Sequence, residues 1–456
     1  MGKLLKFNMT ECKHQILQLD PSPFAELAGY IQPSLAKRVA ATTKSNRATK
    51  ASTVTAKDPV ATFPAPLVLP FDDLNFDPDY QTQDFKCWQQ YRSRNKISMS
   101  RRTIYIARVP EVTKNVTFMS GWPNIKLHPK ALAFQGMKAP SPSINYFVEY
   151  ISAFYHGLDV KELPNRLRWT SWEDGSEYHY SYRTAVPEYV ALQHGDETTR
   201  IRTRIPPDHV FTAQLNLNDI LDAAIRALPD DAYALCLLVD HDMWEDDDDD
   251  FCCGRAYGGS RVCVVQTARY NPGLDAHEGI DRSHMWPLSH CKKFIDQICL
   301  TEDLEPQRST QRQTKESRSG PMRKAVDAAA HKMSEAEGEK TNYVLWFSRL
   351  ARTVSHELGH CFAFDHCVYY ACNTQGTAGM KEDVRQPPYL CPVCEAKISY
   401  AIAVEGLKGG DEAKEVWAKE RCMRLQEFCK ALESQGMGTA MWSGLDAWLE
   451  ERMSMM

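Results

Sequence analysis

Apolar side chains recur along this chain at spacings that predict several helices. In "SPSINYFVEYISAFYHG" the apolar residues from Ile144 to Phe154 lie three and four positions apart, which predicts a helix with one apolar stripe. "LNLNDILDAAIRAL" repeats this spacing, and Asn216 or Asn218 is placed to cap its first turn. Two more helices are predicted over "TNYVLWFSRLARTVSHELGH" and, after residue 411, over "EAKEVWAKERCMRLQEFCKALE".

Strands are predicted where β-branched and aromatic residues lie between turn-forming residues. Sheet structure is expected to begin near Thr103, within "RRTIYIARVPEV". "DAYALCLLVDHDMW" is an apolar run of strand length, and a second strand is predicted around Val262 to Gln266. The acidic run Asp246 to Asp250 lies between them, and we interpret it as a solvated loop because runs of carboxylates usually are.

Two polar stretches divide the chain into segments. Residues 35–60 are basic and nearly free of large apolar side chains, which predicts a flexible linker at the end of an N-terminal segment, 1–60. Residues 301–322 have almost no apolar side chain and predict a disordered insertion. The expected organisation is a main domain over 61–400, which contains this insertion, followed by a helical extension over 401–456.

Composition limits the classes of partner and compartment. The chain has 456 residues, of which 43% are hydrophobic, so it can bury a sizeable core. A net charge of -5 supplies no cationic field for nucleic acid or anionic lipid, and neither is an expected partner. The N-terminus lacks the apolar core of a signal peptide, and no apolar run approaches the roughly 20 residues that span a bilayer. We therefore expect an intracellular protein, cytoplasmic or nuclear, whose 15 cysteines stay free or bind metal.

The stretch "SHELGHCFAFDHC" carries the strongest chemical signal in the sequence. His356 and His360 lie one turn apart on the predicted helix and off its apolar stripe, so both imidazoles can reach one zinc ion. Glu357 is too offset to chelate comfortably. It is placed instead to hydrogen-bond a water held by the metal and to take its proton, as a general base does.

A third ligand must come from beyond the end of this helix. His366 lies six residues after His360, so the helix has to stop and the chain has to turn back for its imidazole to share the metal. Asp365 is a competing third ligand, because carboxylates also complete HExxH sites. We favour His366, whose spacing matches the metzincin pattern, and expect Asp365 to orient an imidazole.

Four cysteines follow in two closely spaced pairs. Cys367 and Cys372 form one pair, and Cys391 and Cys394 form the other as "CPVC". Four thiolates in two such pairs are what a closed tetrahedral zinc site requires. We interpret Cys361 and the pair Cys252–Cys253 as packed thiols, and the remaining candidate ligands lack a nearby motif residue; they are His241, His284 and His290.

The motif "HELGHCFAFDHCVYYACNTQGTAGMKEDVRQPPYLCPVC" resembles the signature of the archaemetzincins, also called archaelysins. The resemblance covers some 40 residues closely, and the predicted order of elements supports it from about residue 100 to 400. It implies a metzincin-like α/β fold with a mixed twisted sheet, an active-site helix and a zinc-stabilised C-terminal subdomain. It also implies a zinc metallopeptidase acting on peptides or proteins, with two zinc ions. His356, His360 and His366 would hold the catalytic zinc, Glu357 would be the base, and the structural zinc would be held by Cys367, Cys372, Cys391 and Cys394.

Two positions depart from the family signature. Ala363 replaces a glycine, which costs on the order of 1 kcal/mol if the turn needs positive φ. Thr374 stands where the family has a methionine beneath the metal, and Met380 could substitute only if the turn is shaped differently. The alternative function is therefore a zinc-binding interaction protein with weak catalysis.

Overall fold

The computed structural model describes residues 12–48, 59–127, 141–172, 186–305, 308–335 and 339–456. Its strands are β1 (Thr103–Ala107), β2 (Glu111–Val112), β3 (Asp159–Glu162), β4 (Arg168–Thr170), β5 (Tyr189–His194), β6 (Glu197–Arg204), β7 (Gln214–Asn216), β8 (Ala232–Val239), β9 (Asp242–Trp244), β10 (Gly254–Ala256) and β11 (Val262–Gln266). Its α-helices are α1 (Phe24–Ala28), α2 (Leu35–Ala40), α3 (Asp73–Phe76), α4 (Phe85–Gln90), α5 (Ile144–Phe154), α6 (Leu217–Arg226), α7 (Asp275–Glu278), α8 (Lys292–Thr301), α9 (Gln311–Glu316), α10 (Pro321–Glu335), α11 (Glu339–Cys361), α12 (Met380–Asp383), α13 (Pro392–Ser399), α14 (Ala413–Ser434) and α15 (Ala440–Met455).

A five-stranded sheet organises the centre of the fold, in the order β10-β11-β8-β1-β3. β11, β8, β1 and β3 run parallel, and β10 pairs antiparallel with β11 at one edge. Every residue of β8 is buried, as expected for a strand covered on both faces. Alternate side chains of this strand enter two different cores, with Cys236 on one face and Leu237 on the other. The predicted strands at Thr103 and Val262–Gln266 are confirmed.

Helices cover both faces of this sheet. The apolar stripe of α5 is buried with α11 in the core on one face. α6 closes the other face, and Asn216 caps it by accepting a hydrogen bond from the Asp219 amide at 3.2 Å. Both helices were predicted from the spacing of their apolar residues.

A second sheet, in the order β2-β4-β5-β6-β7-β9, shares the core beneath α6. It contains parallel and antiparallel pairs, among them the β5–β6 hairpin and the parallel pair β7–β9. The fold is therefore of the mixed α/β class with mixed sheets, as predicted.

The two C-terminal helices, α14 and α15, belong to the main core and do not form a separate layer. Trp442 of α15 packs edge-to-face against Tyr150 of α5 with ring centroids 5.3 Å apart, and Phe428 of α14 contacts the same tyrosine at 5.5 Å. Beneath them Arg452 forms a buried ion pair with Glu395. Residues 401–456, expected as an extension, thus pack as part of the fold, while the domain boundary itself stays a prediction.

The N-terminal segment is more ordered than the sequence indicates. α2 lies inside the stretch 35–60 that we expected to be a linker, and Arg38 and Ala41 are buried; residues 49–58 of that stretch lie outside the described residues. Leu17 and Leu19 are 0% and 1% exposed in the main core. A few buried side chains suffice to order this polar segment, which composition alone does not reveal.

The stretch 301–322 is likewise not a disordered insertion, apart from residues 306–307, which lie outside the described part. α9 begins with a capping box formed by Thr310 and Gln313, and Met322 at the start of α10 is fully buried. The Leu17 amide donates to Ser317 Oγ at 2.9 Å, which joins the N-terminal segment to the stretch that we expected to be disordered. Among the described helices, none is both long and apolar enough to cross a membrane.

Replacing Leu17 tests whether the N-terminal segment stabilises the fold. Leu17→Ala should lower the free energy of unfolding by about 2–5 kcal/mol, because it leaves a cavity in the core. Leu27→Ala, at a residue that is 64% exposed, should change it by less than about 0.5 kcal/mol. Urea unfolding of both variants measures the difference, and equal stabilities would show that the segment does not contribute.

Candidate metal centres

The long helix α11 brings two histidines of the motif to one point. His356 and His360 lie on successive turns, with their Nε2 atoms 3.1 Å apart. Two nitrogens at 2.0–2.1 Å from one zinc in a tetrahedral arrangement are about 3.3 Å apart, so the spacing fits a shared metal. His366 completes the group, because one ring nitrogen from each of the three side chains lies within 4.8 Å of the other two.

Backbone carbonyls fix the orientation of the first two rings. His356 Nδ1 lies 2.7 Å from the Asn373 carbonyl oxygen, and His360 Nδ1 lies 2.6 Å from that of Phe364. A proton on each Nδ1 leaves the Nε2 lone pair free to face the cluster, as in metal-bound histidines. Burial lowers the pKa of all three imidazoles, to about 3 for His366, so they are neutral as ligands must be.

The end of α11 explains how His366 reaches the other two histidines. Ala363 adopts φ +60, and the amides of Ala363 and Phe364 donate to the carbonyls of His360 and Gly359 at 2.8 and 3.1 Å. This is a Schellman termination with alanine at the left-handed position, where glycine is usual. The sequence departure at Ala363 therefore leaves the turn intact, at the local cost that its side chain imposes.

Glu357 lies in the same cavity as the histidines. The cavity has a volume of about 230 Å³, and its wall includes His356, Glu357, His366 and strand residue Gly254. Glu357 is 6% exposed, and burial raises its pKa to about 8, while the charge of Arg255 acts in the opposite direction. A divalent cation on the histidines would further favour the charged carboxylate.

Two glycines give these side chains their space. A methyl group at Gly254 would lie 3.0 Å from Glu357 Oε1, so β10 approaches the carboxylate closely because residue 254 has no side chain. A methyl group at Gly376 would overlap the Asp73 carboxylate and lie 2.7 Å from His366 Nδ1. Neither glycine could be identified from the sequence, because single glycines away from the motif carry no local signal.

The four motif cysteines form a second cluster next to the first. Their sulfur atoms lie within 4.8 Å of one another, and all four residues are buried. Cys367 Sγ and Cys391 Sγ are 3.5 Å apart, close to the roughly 3.8 Å between two sulfurs on one tetrahedral zinc. Hydrogen bonds from the other three thiols lower the pKa of Cys394 well below its usual value. Buried thiolates need a cation to compensate their charge, so this donor set suits a closed zinc site.

Comparisons with known proteins agree with the motif. No protein-family model matches the chain. Archaemetzincin-2 of Pongo abelii is 25% identical over 270 residues, which cover 58% of this chain and 61% of the relative. The human Archaemetzincin-2 is 24% identical over 272 residues, with the same coverage. The chain is a relative of the archaemetzincins. It spans less than two thirds of the length of these curated relatives.

Other similarities are either shorter in sequence or weaker in structure. The archaemetzincin of Thermococcus kodakarensis is 32% identical over 77 residues, which cover 17% of this chain and 41% of the relative. A crystal structure of the Methanopyrus kandleri archaemetzincin is 14% identical, with a TM-score of 0.31, and covers 67% of this chain and 97% of that one. A zinc-dependent peptidase from Methanocorpusculum labreanum is 13% identical, with a TM-score of 0.29, 65% coverage of this chain and 99% of that one. Sequence similarity, and not superposition, therefore relates this chain to the family.

The expectation that Asp365 orients an imidazole is wrong. Asp365 is exposed, and its carboxylate accepts a hydrogen bond from Gln83 Nε2 at 3.0 Å, so it neither joins the histidines nor orients an imidazole. Carbonyl oxygens do that instead. Thr374, at the position of the family methionine, contacts the cysteine cluster, with its hydroxyl 3.1 Å from Cys394 Sγ. Met380, which we considered only as a substitute, lines the cavity that His356 and His366 share.

A second cavity adjoins the one that contains Glu357. It has a volume of about 780 Å³ and shares the wall formed by Ala378, Gly379 and Met380. Its lining mixes apolar side chains such as Phe294 with charged ones such as Arg385. The two cavities therefore adjoin at the 378–380 segment.

Gly376→Ala tests the close packing around His366. The added methyl group must displace the Asp73 carboxylate or the His366 ring, which should lower the free energy of unfolding by about 1–3 kcal/mol. Gly379→Ala is the matched control, because residue 379 has extended backbone at φ 175 and nothing lies within 4 Å of its added methyl. The control should change stability by less than about 0.5 kcal/mol in denaturant titrations. Equal losses would contradict the packing described for Gly376.

Proposed function

We propose that this chain is a zinc metallopeptidase in which His356, His360 and His366 hold the catalytic zinc and Glu357 is the general base. The observation that carries the proposal is the convergence of three partly buried imidazoles beside a buried carboxylate, at a cavity that His356, His366 and Glu357 line. The names of the curated relatives, all archaemetzincins, support the same reaction class. When bound, zinc would polarise the scissile carbonyl and acidify a water molecule.

Glu357 would move the proton in this reaction. Its carboxylate takes a proton from the attacking water and then donates it to the leaving amine, which is the usual task of an acid/base residue. Burial raises the pKa of this carboxyl, which favours its role as a proton donor, whereas a cation on the histidines would favour the charged form that accepts the proton. Gly254 of β10 lies so close to Glu357 that a methyl group there would be 3.0 Å from Oε1. A peptide that runs along β10 would therefore pass near the carboxylate.

The substrate would bind as an added strand on β10. We expected the edge strand near Arg261 to Gln266, but β11 lies inside the sheet, between β10 and β8. β10 is the edge, and within the described part of the chain only β11 pairs with it. An extended peptide could hydrogen-bond to its outer side, next to Glu357, and use the larger cavity for side chains.

The alternative, an interaction protein with weak catalysis, rested on Ala363 and Thr374. Ala363 holds the left-handed turn that the histidine group needs, and Thr374 lies against the cysteine cluster. Neither residue disturbs the histidines or Glu357. These positions therefore favour the enzyme over the alternative.

Glu357→Gln separates the two functions. This variant keeps the size of the side chain and the zinc ligands but removes the base, so cleavage of extended peptides from a library should fall about 100-fold to 10,000-fold. Zinc content, measured by native mass spectrometry, should not change. Glu427→Gln, on the exposed surface of α14, is the matched control and should cleave at the wild-type rate. Equal cleavage by Glu357→Gln and wild type would reject the base, and no cleavage by any variant would favour the interaction protein.

Ligand variants test the two proposed zinc sites separately. His366→Ala should bind one zinc ion fewer than the wild type, whereas Asp365→Ala, at the neighbouring exposed carboxylate, should keep the full number. A Cys391→Ser/Cys394→Ser double variant should also lose one ion, and its stability should fall because structural zinc contributes folding energy. If Asp365→Ala lost a zinc ion and His366→Ala kept it, Asp365 and not His366 would be the third ligand.

A further inference from the structure

A third cluster of ligand-type side chains lies outside the two centres described above. Cys12 and His14 come from the N-terminal segment, and His284 and Cys291 come from the segment between β11 and α8. One ligand atom from each side chain lies within 4.8 Å of all the others. The two cysteine sulfurs are 3.1 Å apart. His284 looked isolated in the sequence, because Cys12 and His14 lie some 270 positions away in the chain.

Two ring nitrogens in this cluster are buried without a hydrogen-bond partner. They are Nε2 of His14 and Nε2 of His284, and the His284 side chain is 1% exposed. Buried polar atoms nearly always have a hydrogen-bond partner. One without a partner destabilises the fold, because it loses its contacts with water and gains no hydrogen bond in exchange. A ligand bound jointly by these two nitrogens and the sulfur atoms of Cys12 and Cys291 would supply the missing partner.

Asp281 orients the His284 ring for such a role. His284 Nδ1 lies 2.7 Å from Asp281 Oδ2, which places the ring proton on Nδ1 and leaves the Nε2 lone pair available. Carboxylates in this position are typical of metal-bound histidines. Phe294 stacks on the other side of the ring, with centroids 4.2 Å apart, and so holds its plane.

Backbone pairing brings the two halves of the cluster together independently of any ligand. Leu17 forms an antiparallel bridge with Cys291, and the Gln18 amide donates to the His290 carbonyl at 2.7 Å. The Lys292 amide donates to the Ile16 carbonyl at 2.9 Å. His14, just before this pairing, adopts φ +45, a left-handed conformation that is uncommon for a residue with a side chain. The position of its ring beside His284 gives this local cost a structural reason.

We propose that Cys12, His14, His284 and Cys291 bind a further zinc ion, which ties the N-terminal segment to the segment before α8. Two thiolates and two imidazoles are a standard donor set for structural zinc, and four protein ligands leave no open position for catalysis. Two sulfurs on one tetrahedral zinc are about 3.8 Å apart, so binding requires the cysteines to separate by less than 1 Å from their 3.1 Å contact.

A zinc ion at this cluster would also stabilise one wall of the larger cavity. His284, Asp281 and Phe294 line the larger cavity beside the Glu357 site. Zinc at this cluster would hold these three side chains in place from behind. Its role is structural, and it does not depend on whether the chain cleaves peptides.

Metal counting on the full-length protein tests the proposal. Zinc per chain is measured by native mass spectrometry in wild type, in Cys12→Ser/Cys291→Ser and in a Cys87→Ser/His277→Ala control, whose two residues are exposed. The cluster variant should bind one zinc ion fewer than the wild type, and the control should bind the same number. Equal zinc in all three proteins would overturn the proposal.

Cobalt substitution provides a second measurement that does not require the cluster variant to fold well. His284→Cys keeps four donors and should retain the metal, with a cobalt(II) absorption spectrum shifted toward that of a sulfur-rich site. His284→Ala should lose the corresponding thiolate-to-cobalt band. A wild-type spectrum identical to that of His284→Ala would overturn the proposal. So would a wild-type mass lower by two hydrogens under non-reducing conditions with Cys12 and Cys291 linked, since a disulfide there leaves no sulfur ligand for zinc.

Discussion

The left-handed turn at Ala363 is the constraint on which the histidine group depends. A helix can place two histidines side by side, but a third at six residues further on lies out of reach unless the helix ends and the chain reverses. The Schellman hydrogen bonds to the carbonyls of Gly359 and His360 end α11 at that point. His360 therefore contributes its ring to the histidine group and its carbonyl oxygen to the turn. The site and the helix end are one structural unit.

This unit is linked to the cysteine cluster by adjacent residues. His366 and Cys367 are neighbours in sequence and belong to different clusters. On the returning strand of chain, the Asn373 carbonyl orients His356, and the next residue, Thr374, accepts from the Cys367 amide at 2.8 Å. A metal in the cysteine cluster would thus fix the two segments that position two of the three histidines. This explains why a closed site would be built next to an open one.

Much of this arrangement could be predicted from sequence because its information is local. The spacing of histidines and cysteines, the stripe of α11, and the strands β8 and β11 all depend on neighbours in the chain. The errors involve contacts over long separations. Leu17 hydrogen-bonds to Ser317 and is buried in the main core. Composition therefore did not reveal that the N-terminal segment and residues 301–322 are ordered. Asp365 accepts a hydrogen bond from Gln83, and β10 is the edge strand of its sheet. Both features depend on tertiary packing, which neighbouring residues in the chain do not reveal. His284 was set aside for the same reason.

The number of protein donors distinguishes what each cluster is able to do. The cysteine cluster and the Cys12–His284 cluster each offer four ligand atoms, which fill the coordination of a tetrahedral ion. The histidine group offers three, and Asp365, which competed with His366 as the third ligand, is exposed and accepts a hydrogen bond from Gln83. The position left open on a metal there would face the cavity that contains Glu357. Chemistry is therefore possible at this one of the three clusters in the described part of the chain, while the two with four donors are suited to holding distant segments together.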